Sequence, residues 1–168
     1  DQDEKRKTKD EKRKTHTMKK NITLLVISLG ILVLPNMNAL AQYVLREADA
    51  QFELYNFEKA AQLYTEAYQK KKTLRATQGL AESYRLMRDF RQAASWYAIL
   101  ADTEGSGPEA IRWYGEMLRN NGRYGEAKEQ YTRYGGALKG AAPEQLAQIA
   151  LWKSSCDSAV KWMRHPKT

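Results

Sequence analysis

The 168-residue chain has one cysteine, Cys156, and two histidines, His16 and His165, near its opposite ends. One thiol excludes an internal disulfide and any cysteine-based zinc cluster. Two distant histidines leave no pair to hold a metal or to serve a nucleophile. GxSxG, HExxH and a phosphate-binding glycine loop are all missing, and the acidic residues are scattered rather than paired. The expectation is a protein that is not an enzyme, with no cofactor and no metal. Proline is scarce too, at four residues, so the chain is not a linker. The most apolar run, Ile22 to Leu34, is thirteen residues long. As a helix that spans only about 20 Å, against a hydrocarbon core of about 30 Å.

The chain does have charge and aromatics: 28 Lys+Arg against 20 Asp+Glu, formal charge +8, 42% hydrophobic residues and ten tyrosines. Residues 1–41 hold nine of the basic and five of the acidic residues, so half of the excess charge sits in the first quarter. Residues 1–17 carry no large apolar side chain and cannot bury anything, so a disordered basic tail or a mis-assigned start is expected there. Residues 18–41 read as a secretory signal peptide. Met18-Lys19-Lys20 is the positive region, Ile22–Leu34 the apolar region, and Ala39 and Ala41 the small residues, with cleavage before Gln42. The competing reading is a membrane-anchored adaptor that keeps the apolar segment. With cleavage, membrane association is indirect and the product is exported, to the periplasm or the periphery of an outer membrane.

Three segments of the remainder align on one another. Ala60, Ala93 and Ala127 are 33 and 34 residues apart. Phe57, Phe90 and Tyr124 stand three residues before these alanines, and Tyr64, Tyr97 and Tyr131 four after. Small residues Ala48, Ala81 and Gly115 precede each group, and Tyr84 adds an aromatic in the second segment. Each segment contains two amphipathic stretches with helical spacing. Gly105-Ser106-Gly107-Pro108 breaks the second from the third, Asn120-Asn121-Gly122 turns within the third, and Gly135-Gly136 is expected to end or kink the last paired helix. Alanines where two helices cross allow close approach, with the aromatic filling the remaining gap.

This pattern resembles the tetratricopeptide repeat, with units at about 41–73, 74–107 and 108–141. The resemblance implies an all-α fold: a right-handed superhelix of three helix pairs. From Pro143, Leu146, Ile149, Trp152, Cys156, Val160 and Met163 recur every three or four residues, which suits a C-terminal capping helix over 142–168. Cys156 and the four tryptophans read as packing residues, with Trp113 within reach of a ligand surface.

In the repeat's register the concave groove is lined by Asp49, Phe52 and Glu53, then Arg75, Gln78, Glu82 and Arg85, then Glu109, Arg112, Glu116 and Arg119. Four arginines on one surface could take an acidic segment by bidentate hydrogen bonds. The alternative is a solvated face of ion pairs such as Glu82–Arg85 and Glu116–Arg119. The lysine–asparagine set with which some repeats of this kind hold a terminal carboxylate is missing. The expected partner is a protein or peptide. A basic nucleic-acid binder would use Lys5–Lys14 and Lys70-Lys71-Lys72, but an export signal argues against nucleic acid. The order of signal peptide, repeats and a helix with Ser154-Ser155-Cys156-Asp157 is similar to the N-terminal part of OmpA-like envelope proteins of Bacteroidetes. That resemblance implies a cell-envelope scaffold, and a chain that is a fragment or a truncated paralogue.

Overall fold

The computed structural model describes residues 16–21 and 39–164. Residues 1–15 and 22–38, on which the readings of a basic tail and a signal peptide mainly rest, lie outside the described residues, as do 165–168. The chain divides into two units, Asp1–Leu40 and Ala41–Thr168. In the first, residues 16–21 form an exposed helical turn. All described elements are helices. They are α1 (39–53), α2 (Phe57–Lys70), α3 (Leu74–Leu86), α4 (Phe90–Ala101), α5 (Pro108–Asn120), α6 (Tyr124–Ala137) and α7 (Pro143–Arg164).

Local chemistry sets the boundaries. The Thr73 hydroxyl accepts from the Ala76 N–H at 3.2 Å, and the Asp89 carboxylate accepts from the Gln92 N–H at 3.1 Å, starting α3 and α4. Pro108 opens α5 at a position where no N–H is needed. The sequence misplaces one ending. Helix α6 runs through Gly135 and Gly136 and stops at Leu138, because the backbone bonds of the last turn do not depend on side chains.

Short turns fold each helix back on its predecessor, and every substantial packing contact from α2 to α7 joins consecutive helices. The repeat positions occupy the crossings. Ala48, Ala60, Ala81, Ala93 and Ala127 are fully buried, with Tyr64, Tyr97 and Tyr131 stacked among them. Phe57, Tyr84, Phe90 and Tyr124 are half-buried at the borders. The result is the helical-repeat superhelix expected.

The turn inside each pair is the same. Tyr55, Arg88 and Gly122 occupy one register position and have φ of 60°, 61° and 74°. The next N–H reaches back five residues each time: Asn56 to the Gln51 carbonyl, Asp89 to Tyr84 and Arg123 to Leu118, at 2.9–3.0 Å. Only one of the three residues is glycine, and a side chain in this left-handed region costs about 1 kcal/mol. Arg88→Gly should therefore stabilise the fold by about 0.5 kcal/mol, after the added freedom of the unfolded chain is subtracted. A urea midpoint that falls instead would show that the contact of Arg88 with the Phe90 ring, 6.0 Å away, outweighs the strain.

Helix α7 buries Ile149 and Cys156 and half-buries Trp152 and Val160. Its stripe is shorter than expected. Leu146 and Met163 are about half exposed, and Trp162, read as a packing residue, is 67% exposed. The physical reason is length: α7 has 22 residues and α6 has 14, so the ends of α7 project beyond the surface it covers.

Candidate interaction face

The side chains assigned to the groove lie on α1, α3 and α5 and are organised around three buried tyrosines. In each unit a tyrosine hydroxyl donates to a carboxylate fifteen residues earlier. The pairs are Tyr64 to Asp49 at 2.6 Å, Tyr97 to Glu82 at 2.5 Å and Tyr131 to Glu116 at 3.0 Å. An arginine completes each cluster. Arg85 binds Glu82 through Nε at 2.9 Å and Nη2 at 2.5 Å, and Arg119 binds Glu116 at 2.5 Å. In the first unit the arginine comes from the next helix pair, with Arg75 reaching Asp49 at 2.7 Å. Arg112 pairs with Glu109 at 2.6 Å, and Glu109 also accepts the Tyr134 hydroxyl at 2.7 Å.

All four groove arginines thus have carboxylate partners within the chain, and the Glu82–Arg85 and Glu116–Arg119 pairs expected as the alternative are both formed. Phe52 stands edge-on to Phe57 and Tyr64, with ring centres 5.3 and 6.4 Å away, and belongs with the packing. Gln78 is exposed on α3, and Glu53 is exposed at the end of α1. Sequence reasoning missed the tyrosine clusters, although the tyrosine–carboxylate spacing of fifteen, repeated in all three units, is the signal that marks them.

Electrostatics follow from this bonding. Burial first, then the bond to a carboxylate, pushes Tyr64 and Tyr97 well above the usual phenol range, and burial with the nearby Glu116 charge does the same to Tyr131. These tyrosines are hydrogen-bond donors, not bases. Burial raises the Cys156 thiol likewise, so it is a packed, inert group. For Glu109, burial alone would raise the carboxyl, but the Tyr134 hydroxyl and the Arg112 pair outweigh it and hold it low. Arg123 holds Glu126 low in the same way.

The sign of the resulting pH dependence is fixed. Both folded values lie below the unfolded value of about 4.3, so their stabilisation is present above that pH and is lost as pH falls through the folded values. Urea midpoints should therefore drop on the acid side of about pH 4, and Glu109→Gln should flatten part of that drop. An unchanged acid limb would mean that solvent screens the pair completely.

Between α3 and α5 the face opens into a recess of about 160 Å³. Leu74, Leu100 and Ala110 form apolar wall, Tyr97 and Trp113 supply aromatic faces, and Gln78, Glu82, Ser106 and Glu109 supply polar atoms. Trp113, which the sequence placed near a ligand surface, is the most elaborately held of these. Its ring lies 4.4 Å from the Arg85 guanidinium and 4.2 Å from that of Arg112, and it stacks on Tyr97 with centres 6.4 Å apart. No group of three or more histidine, cysteine or acidic side chains placed to hold a metal occurs among the described residues.

No protein-family model matches the chain, and no curated protein matches it by sequence. Solved structures do. The crystal structure of the Sgt2 TPR domain from Aspergillus fumigatus superposes with a TM-score of 0.57 at 16% identity, covering 76% of this chain and 85% of that one. At that identity the likeness is one of architecture, and with the repeat register above it shows that this chain has a tetratricopeptide-like helical-repeat fold.

Proposed function

We propose that this chain is a non-catalytic interaction scaffold whose concave face receives a segment of a partner protein. The observation that supports this most directly is the recess between α3 and α5, where aromatic and apolar walls meet a few convergent polar groups on a preorganised surface. The tyrosine-anchored ion pairs fix the side chains around it, so little ordering entropy remains to be lost on binding. The groove arginines contribute mainly through this positioning, since an acidic segment would have to displace Asp49, Glu82, Glu109 or Glu116 to reach them.

The reading extends to export and a cell-envelope setting. Its support is the order of Met18-Lys19-Lys20, the apolar run Ile22–Leu34 and Ala39/Ala41 in the sequence, with the similarity to OmpA-like envelope proteins. Cleavage before Gln42 would remove 39–41 from the helical stretch 39–53. N-terminal sequencing of the protein recovered from envelope fractions tests this, and a product still carrying residues 22–34 would favour the membrane-anchored adaptor instead. The scaffold itself is tested by crosslinked capture from the same fractions with the full chain and with Gln78→Trp, which places an indole over the middle of the concave face. Equal capture by both would move the interaction off that face.

A further inference from the structure

The charged side chains that line the recess are two carboxylates, Glu82 and Glu109. Both only accept, whereas Gln78 and Ser106 can donate or accept, the Trp113 indole N–H only donates, and the Tyr97 hydroxyl is already donated to Glu82. No basic side chain lines it. A carboxylate has about four lone-pair positions. Glu109 uses two, for Arg112 and Tyr134, and Glu82 uses three, for two nitrogens of Arg85 and the Tyr97 hydroxyl. The lone pairs left on the two carboxylates suit a donor from outside, carried on a stem that fits Leu74, Leu100 and Ala110.

We propose that this recess takes one lysine side chain of the partner segment, its methylenes against Leu74, Leu100 and Ala110 and its ammonium between Glu82 and Glu109. The inference rests on the concave-face reading above. A lysine fits better than an arginine because its compact ammonium can direct three donors to separate acceptors, whereas a guanidinium needs a flat, two-pronged partner. An acidic side chain would bring a further negative charge against Glu82 and Glu109. The opposing charges are answered within the chain: Arg85 and Arg112 are each bound to one of the two carboxylates, and Glu109 in the first turn of α5 meets the positive end of that helix. The ammonium is therefore held by remaining lone pairs rather than by unpaired charge, and its contribution lies in selectivity.

The probe is a random twelve-residue peptide library selected against the full chain, followed by synthesis of the strongest binder. The expected result is one lysine common to the selected peptides. Its replacement by norleucine, which keeps the stem and removes the charge, should weaken binding about tenfold or more. Glu109→Gln should weaken the lysine peptide and leave the norleucine peptide unchanged, a coupling that general loosening of the fold would not produce. Ser106→Trp, which fills the recess from its loop and spares both carboxylates, should remove the lysine preference as well. Peptides that are blocked by Gln78→Trp but bind equally with lysine or norleucine would overturn the lysine site and leave the concave face standing. Peptides indifferent to Gln78→Trp, or no selected peptide at all, would overturn both.

Discussion

Gly79→Ala is expected to destabilise the fold by about 2 kcal/mol, although the same change in an unobstructed helix stabilises by up to about 1 kcal/mol. Gly79 is buried on α3 directly against the ring of Tyr64, and a Cβ there would overlap the phenol carbons. The ring cannot swing away cheaply. It is fully buried, its hydroxyl is bonded to Asp49, and Arg75 closes over the same cluster. Gly125, at the start of α6, is the control: a Cβ added there would meet nothing within 4 Å. Gly125→Ala should therefore gain a few tenths of a kcal/mol. Chemical denaturation of the two variants beside the parent measures both signs at once. If Gly79→Ala proves as benign as Gly125→Ala, the packing of Tyr64 is looser than the geometry requires.

Tyr97→Ala should be costlier still, about 4 kcal/mol, a large share of the roughly 5–15 kcal/mol typical of a domain. Tyr97 is 1% exposed at the centre of the chain, where it carries the stacked Trp113 and donates to Glu82. Truncation would leave a cavity, free Trp113 on one side and deprive a half-buried carboxylate of a donor. Tyr97→Phe separates these effects: it keeps the ring and removes only the hydroxyl, so about 1.5 kcal/mol is expected. Equal losses for the two variants would make the hydrogen bond, rather than the filled volume, the main stabilising element. A loss below about 1 kcal/mol for the alanine variant would mean that neighbouring helices collapse into the space.

The repeat pattern was legible because it is imposed by volume. A crossing that admits only alanine or glycine, beside a tyrosine large enough to close the gap, leaves the same marks each time the unit recurs, as Ala60, Ala93 and Ala127 with Tyr64, Tyr97 and Tyr131 show. Pro108 was legible for a similar reason, since a proline fixes its own φ wherever it stands. Gly79 was not, because its role depends on a ring in the preceding helix. The exposure of Trp162 depends on the relative lengths of α6 and α7, which residue type does not record. On the candidate face, the register placed the charged residues on α1, α3 and α5, which is where the structure has them. It did not say whether the arginines face outward or are engaged by their own carboxylates, because that is decided by side-chain rotamers and by tyrosines fifteen residues away.

The largely sequential packing of the helices has a consequence for how the protein is made. Each helix from α2 to α7 finds its main partners immediately before and after it in the chain, so no segment has to wait during synthesis for a distant one to be translated. Such low contact order corresponds to folding in microseconds to milliseconds, against a synthesis rate of about 5–20 residues per second. The chain can therefore assemble pair by pair as its successive segments become free to fold, whether at the ribosome or, on the export reading, beyond the translocon. Its transient growing end at each stage would be the apolar face that the next helix is about to cover.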